Sequence, residues 1–483
     1  MLCFIACPLQ AADIGLEFQK ELHQRSLELF GIKSPLQKSA VTPEGFQRHS
    51  GQPASEQVLL ADGLTVEYFV RHAAHKTDQM IFWPNDEAPT HILTCVESGH
   101  EIINSQTGRL NPSVQRIEMK TLEIETILRG MKSCDGIRRT QWGTVLVAEE
   151  TSDGRAYEII NPLATTEHTL LLGQRGSGII RKPSGSASAS IILRDALPTM
   201  SWEGFTILPS GVVIGGDELR PGSYEDEQNN PDTDGGAIFK FIPDTPWISG
   251  FAQITDLSAS PLAAGSVYAM QISCRGGRRQ FGQGCEVGSG TWFPVHAENA
   301  RPEANAKGAT GFYRPEDLHR DPGFNDPNHP DAIRFCWANT GNEGAGNYAE
   351  IMCGIDIAPD QAIFDQQSVA INRFIEGDPD FNSMDNVAFQ PGTGILYVIE
   401  DHPNGDIFAC LPDGADNDIK SDGCVKILSV VDGSAEPTGF FFSADGKSAY
   451  LSIQHSADPE SMDYDGYATD DILKITGFRS PKH

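Results

Sequence analysis

Long apolar runs are absent from this chain, and no stretch reaches the length that crosses a bilayer. No transmembrane segment is expected. Positive charge is scarce as well: 36 Lys+Arg stand against 66 Asp+Glu, a formal net charge of −30 with pI near 4.7. Such a chain has no bulk field with which to hold nucleic acid or an anionic membrane surface. If its substrate is an anion, local arginine or metal must overcome the repulsion. Signatures of several chemistries are missing too. The sequence carries no GxSxG elbow, no Walker A loop, no HExxH helix, and no GxGxxG following a strand. CxxC pairs are lacking, so a structural zinc site is not expected.

Glycine and proline are plentiful, 48 and 30 of 483 residues, which indicates a turn-rich globular protein. Residues 1–12, MLCFIACPLQAA, are apolar but short and without a basic start. They read as the remnant of an export signal, since PLQAAD offers small residues for cleavage and FIAC, ending at Cys7, resembles a degenerate lipobox. A genuine Met1 followed by a disordered cytosolic start is the alternative. Three cysteine pairs lie close in sequence, Cys274 with Cys285, Cys336 with Cys353, and Cys410 with Cys424. Pairing within short loops suits an oxidising compartment, so a periplasmic or secreted protein is expected, lipid-anchored if Cys7 is the acceptor. Cys95 and Cys134 are expected to remain unpaired.

Residues 13–55 form a lead-in. Ile14, Phe18, Leu22, Leu27 and Phe30 recur at helical spacing, and a Ser/Gln/Pro/Gly-rich loop follows. Within residues 56–483 one unit recurs, an apolar strand ending in polar or acidic residues, a turn, and a second strand. Its copies open at Gly143, Gly211, Ile333, Gly394 and Lys447, with a weaker one at His91. A period of roughly 60 to 70 residues built of antiparallel strands fits propeller blades. The expected fold is all-β, a single β-propeller of about six blades with a short helical lead-in. Long insertions at Ser223–Asp234 and Gly276–Asp331 are expected as rim loops.

Ahead of each clear copy stands a residue with ligand chemistry: Cys134, Glu203, Asp385 and Glu436, with Glu316 in the analogous place before Ile333. Equivalent inner positions of successive blades face one funnel. Carboxylates crowded and partly buried require raised pKa values or compensating cations. Oxygen donors favour calcium, and a thiolate among them suggests iron. The acids that close the apolar strands, Glu149, Glu150, Asp217, Glu218, Glu400 and Asp401, together with His455, read equally as ligands, as supports for ligands, or as hydrated strand ends. Arg314 is a candidate fork for phosphate or carboxylate, with Arg138 and Arg139 as weaker candidates. The acidic run Asp413–Gly423 lacks EF-hand spacing and reads as a solvated loop.

The ordered motifs SCDGIRRTQWGTVLVAEE, WEGF, GGDE, RPEDL, FCWANTG, MDNVAF, LYVIEDH and EPTGFFFSADGKSAYLSIQH resemble the PhoX family of secreted bacterial alkaline phosphatases, from about residue 90 onward. The resemblance implies a propeller around an iron–calcium cluster that hydrolyses phosphate monoesters. It implies Cys134 as thiolate ligand of Fe3+, Glu203 and Glu316 as carboxylate ligands, Asp385 and Glu436 on Ca2+, and Arg314 against the substrate phosphate. Two other classes fit the residues, a calcium-dependent propeller lactonase or related hydrolase, and a non-catalytic binding propeller.

Overall fold

The computed structural model describes residues 14–222, 235–272, 287–363, 366–401, 404–412, 423–454 and 464–481. Strands dominate them, and six strands line a central axis: Thr77–Trp83, Cys134–Arg139, Trp202–Ile207, Pro315–Arg320, Met384–Phe389 and Glu436–Phe442. Each packs beside the next in that order, and the sixth returns to the first. Each also pairs antiparallel with the strand after it, and the meander continues outward to make a blade. The described residues therefore form a six-bladed propeller. The second strands are His91–Val96, Thr144–Glu149, Val213–Asp217, Ile333–Asn339, Leu396–Glu400 and Ser448–Gln454. They are the apolar runs recognised in the sequence. Thr144–Glu149 is buried along its whole length because neighbouring blades cover both of its faces.

Closure of the ring uses the start of the domain. Thr65–Ala74 pairs with Thr469–Thr476 as the outermost strand of blade 6, and Val58–Leu60 adds to the edge of blade 5. The ring cannot open there without breaking a sheet. Before these strands come the helices Ile14–Gln24 and Ser26–Leu29. Leu22, Phe30 and Ile32 pack into the core of blades 5 and 6 with Val425 and Ile427, whereas Leu27 is only half-buried.

The segment Gly276–Asp331 is not the rim loop expected from its composition. Its described part holds an outer strand, Gly288–Val295, a helix, Ala300–Lys307, and the inner strand of blade 4. Gly288–Val295 pairs on one side with Gly265–Ile272 of blade 3 and on the other with Val369–Glu376 of blade 4. The two blades thus share one continuous sheet, so the segment reads as irregular only because its strands serve both. Ser223–Asp234 and nearly all of Asp413–Gly423 lie outside the described residues.

Cys336–Cys353 and Cys410–Cys424 are disulfides between neighbouring strands, as expected. Cys274, Cys285 and Cys7 lie outside the described residues. Cys95 and Cys134 are not unpaired: they form a disulfide that ties the second strand of blade 1 to the inner strand of blade 2. Disulfides of this kind belong to an oxidising compartment. No helix among the described residues is long and apolar enough to cross a membrane. The Cys95–Cys134 bond closes a sequence separation of 39 residues. Cys134→Ala is expected to lower stability by about 2–4 kcal/mol through the freed unfolded chain, while metal content stays unchanged. Denaturant unfolding alongside elemental analysis checks both, and loss of metal would restore the sulfur as a ligand.

Candidate metal centre

The rims of the inner strands share one irregularity. In blades 1 to 5 the first inner residue pairs regularly, as Thr77 with Val96, Cys134 with Glu149, Trp202 with Asp217, Pro315 with Asn339, and Met384 with Glu400. Register shifts immediately afterwards. The residues displaced into this bulge begin with Asp78, Asp135, Glu203, Glu316 and Asp385. An extra residue in one strand breaks the two-residue alternation and re-aims a side chain, and here it gives one acid per blade to the axis. Glycine follows the acid in two blades because the inner strands converge. A Cβ on Gly136 would stand 2.6 Å from the Glu203 carbonyl oxygen, and one on Gly204 would stand 2.3 Å from Asp317 Cα.

This register corrects the sequence expectation for Cys134. The residue equivalent to Glu203, Glu316 and Asp385 is Asp135, one place later, and Cys134 joins the apolar core with Leu93 and Val147. Its sulfur is committed to Cys95, so it is not a thiolate ligand. Glu436 also differs from the other acids. Blade 6 keeps regular pairing through Glu436–Gln454, Pro437–Ile453 and Thr438–Ser452, and its shift comes later. Glu436 therefore occupies the Cys134 place, yet the charges of Asp401, Asp385 and Asp78 still act on it.

A second acid from each of several blades joins the ring. In blades 1 to 5 the residue after the second strand donates its N–H to the carbonyl oxygen of the residue just before the inner strand. These pairs are Glu97 to Lys76 (2.9 Å), Glu150 to Ser133 (2.8 Å), Glu218 to Ser201 (3.0 Å), Thr340 to Arg314 (3.2 Å) and Asp401 to Ser383 (2.8 Å). Lys76, Ser133, Arg314 and Ser383 all have left-handed backbones, with φ of 63°, 50°, 60° and 48°. Left-handed non-glycine residues are uncommon and cluster at functional sites. Here they make the sharp entry into the inner strand and set the side chains of Lys76 and Arg314 at equivalent places in the ring.

Three overlapping carboxylate groups result: Asp78, Glu97 and Asp135; Asp135, Glu150 and Glu203; and Glu203, Glu316 and Asp385. Within each group one ligand atom per residue lies within 4.8 Å of the others. Asp78, Asp135, Glu203, Glu316 and Asp385 are all buried. Burial and then the charges of Asp135, Asp385 and Glu316 push the Glu203 carboxyl well above the usual range. Asp78, Asp135, Glu150, Asp385 and Glu436 are raised in the same way, by burial first and neighbouring carboxylates second. Glu316 is raised by burial although the Arg314 charge opposes the shift. Cations bound among these oxygens would remove both penalties. The donors are all oxygen, the chemistry of a hard ion such as calcium. Gln454 adds a buried carbonyl oxygen, Oε1, that has no hydrogen-bond partner among the described residues, while its Nε2 donates to Asp78 (3.0 Å) and Glu97 (2.7 Å).

Arg314 is the cation most closely held in the ring. Its Nε donates to Glu218 Oε1 at 2.7 Å, and its Nη2 lies 3.1 Å from Glu316 Oε1. The charge of Glu316 raises its pKa above the ordinary value. Thr340 donates its hydroxyl to Glu316 Oε1. Beneath the ring, Gln79 Nε2 donates to Asp135 Oδ1 (3.0 Å), and Arg138 Nη1 donates to Gln79 Oε1 (2.5 Å). Arg138 also pairs with Asp317 at 2.8 Å. Burial opposes ionisation of Asp317, but His319 and Arg138 prevail and hold its pKa at about 2. Arg138 is thus committed to an internal ion pair, and Arg139 pairs with Asp86 at the far end of the strand.

Among the strand-closing acids, Glu150, Glu218 and Asp401 belong to this centre, while Glu149 and Asp217 do not. Glu149 accepts backbone N–H groups from Lys132 (2.8 Å) and Arg155 (3.2 Å) and pairs with Arg175. Asp217 accepts the Ser201 N–H (2.8 Å) and the Arg301 Nε (2.7 Å). Glu400 likewise accepts from Asn382 N (2.8 Å) and Asp406 N (3.3 Å). Each secures the loops at one end of its blade. In every acid pair the first residue faces the sheet and the second faces the axis. His455 lies outside the described residues. Sequence reading missed Asp78, Glu97, Asp135 and Lys76. The available signal was the recurrence of an acid directly after Thr77, Cys134, Trp202, Pro315 and Met384.

No protein-family model and no curated protein matches the sequence. Solved structures do resemble it. PhoX from Pseudomonas fluorescens, in complex with vanadate, a transition state analogue, matches 95% of this chain and 100% of its own at 14% identity with a TM-score of 0.57. A gluconolactonase from Xanthomonas campestris (XC5397) matches 92% and 99% at 11% identity, TM-score 0.41. A calcium structure of the Trichoderma reesei carbohydrate-active enzyme family AA12 matches 89% and 100% at 12% identity, TM-score 0.39. At these identities the first likeness shows a shared, PhoX-like propeller fold.

Proposed function

We propose that this protein is a metal-dependent hydrolase of phosphate monoesters acting in the periplasm or outside the cell. The observation that carries the reading is the set of three overlapping carboxylate groups with Arg314 held beside Glu316. Asp78, Glu97, Asp135, Glu150, Glu203, Glu316 and Asp385 would hold the ions, with Asp401 and Glu436 adding charge at the edge. Calcium is the ion these donors suit, and iron enters the reading only as carboxylate-held Fe3+, because the sulfur of Cys134 is committed. When bound, such ions polarise the phosphoryl oxygens and offset their charge. Arg314 orients an equatorial phosphoryl oxygen and stabilises charge growing on it. Glu218 and Glu316 hold the guanidinium in place, and Lys76 contributes positive charge from the equivalent place in blade 1. The strongly acidic chain would otherwise repel a phosphate ester. PhoX of the same fold was solved with vanadate, a transition state analogue, which supports a phosphoryl substrate.

A calcium-dependent lactonase is the second reading, and the Cys95–Cys134 disulfide favours it because that chemistry needs no thiolate. The calcium-loaded protein is to be assayed against simple phosphomonoesters, phosphodiesters and lactones at alkaline pH. Several phosphomonoesters are expected to be hydrolysed, with loose selection of the alcohol. Arg314→Ala is expected to lower kcat/KM about 10²- to 10³-fold, the size typical of one positioned charge donor. Turnover of lactones alone would replace this reading with the second, and turnover of nothing would leave a binding propeller.

A further inference from the structure

Beneath the acid ring the side chain of Gln79 joins blades 1, 2 and 3, and each contact fixes its amide the same way round. Gln79 follows Asp78 on the inner strand of blade 1 and is 3% exposed. Its Oε1 accepts from Arg138 Nη1 of blade 2 at 2.5 Å. A guanidinium only donates, so the amide oxygen must face it. Nε2 then carries two hydrogens toward two acceptors, Asp135 Oδ1 of blade 2 at 3.0 Å and the Glu203 carbonyl oxygen of blade 3 at 3.3 Å. Turned over, the amide would set oxygen against carboxylate and N–H against guanidinium.

The two residues that accept from Nε2 are the ones the carboxylate groups share. Asp135 belongs to the first and second groups, and Glu203 to the second and third. A shared acid completes both of its groups only while its oxygens keep their present direction. An N–H placed on Asp135 Oδ1 favours the ionised carboxylate and fixes its rotation. The bond to the Glu203 carbonyl holds the main chain at the bulge from which the Glu203 side chain leaves. Arg138 is itself gripped from the far side. Its Nη2 donates to Asp317 Oδ1 of blade 4 at 2.8 Å, and Asp317 Oδ2 accepts the Val387 N–H of blade 5 at 3.2 Å. We propose that Gln79 is a positioning residue for the metal centre, holding Asp135 and Glu203 where each completes two carboxylate groups, with Arg138 acting through it. This role rests on the reading of the ring as a cation site, and not on the ester hydrolysed there.

Calcium calorimetry and the luminescence lifetime of bound europium(III) test this on the full chain, in Gln79→Met, Arg138→Lys and the double variant. Gln79→Asn, which keeps the amide but shortens its reach, serves in the same cycle if Gln79→Met does not fold. Either Gln79 variant is expected to weaken calcium binding about 10- to 100-fold and to shorten the europium lifetime, as water takes the place of a turned carboxylate oxygen. Arg138→Lys keeps a charge beside Asp317 but loses the fork that also grips Gln79. Alone it should weaken calcium binding about three-fold or more, and in the Gln79 variant it should add nothing. A packing role would instead lower the melting temperature of the metal-free variants while calcium affinity and europium lifetime keep their parent values. That result, additive losses in the double variant, or a parent protein that binds neither ion overturns the proposal. Weakened calcium binding in a protein that hydrolyses no phosphomonoester would leave Gln79 in this role and remove the ester reading alone.

Discussion

Glu203→Gln is expected to reduce phosphomonoester hydrolysis by about 10³-fold or more and to weaken metal binding at two places together. Glu203 belongs to two of the three carboxylate groups, so losing its charge weakens both. Its bulge lies against Gly136 and Gly204, which leaves no room for another side chain to substitute. The same change should make the metal-free protein more stable, because a neutral amide relieves the burial and repulsion that raise the Glu203 pKa. A folding defect would lower stability and activity together, so this pairing of opposite effects separates the two causes. Asp217→Asn is the control. It weakens the pair with Arg301 in blade 3, and it should cost stability while leaving turnover within a few-fold. Calcium titration, elemental analysis and thermal unfolding of both variants decide the matter. Full activity in Glu203→Gln would remove the ring from the mechanism.

Stripping the metal is expected to reverse the usual pH dependence of stability. In the metal-free protein the carboxyls of Asp78, Asp135, Glu150, Glu203, Glu316, Asp385 and Glu436 are raised above their ordinary values. Between the unfolded carboxylate pKa near about 4 and those raised values, the native state binds more protons than the unfolded one. Stability therefore falls as pH rises through that window. Asp317, held at about 2, acts in the opposite sense, but its contribution is lost only below the ordinary carboxylate range. Metal bound to the ionised ring would displace those protons and favour the native state. Calcium at about a thousand times its dissociation constant would add about 4 kcal/mol per site. Melting temperature is to be measured from pH 5 to 9 after chelation, with and without added calcium. The chelated protein should melt lower at pH 8 than at pH 5, and calcium should raise the pH 8 value most. A chelated protein equally stable across the range would show that the ring is not a site of unbalanced charge.

The propeller was legible because each second strand is an apolar run bounded by turns, and such runs recur. Burial between blades makes Thr144–Glu149 or Leu396–Glu400 continuous in hydrophobicity, and that is a property of the linear sequence. Glu203 and Asp385 were legible for the same reason, since they precede the openings of those runs at Gly211 and Gly394 by nearly the same distance, whereas Glu316 stands before Ile333 across a longer insertion and was legible by analogy. The segment around Gly288–Val295 was not, because its pairing with Val369–Glu376 brings together residues far apart in the chain.

By itself, then, the sequence determined the all-β class, the blade count, two of the three disulfides among the described residues, and the concentration of acids at the inner ends of the blades. Only the tertiary structure decided which acid faces the axis. A strand without irregularity sends alternate residues to opposite faces, which would make Cys134 as good a candidate as Asp135. The bulge after Cys134 breaks that alternation, and it is set by how the inner strand meets its partner and the neighbouring blade. The same contacts place Cys95 beside Cys134, a pairing between two blades that their separation along the chain does not express.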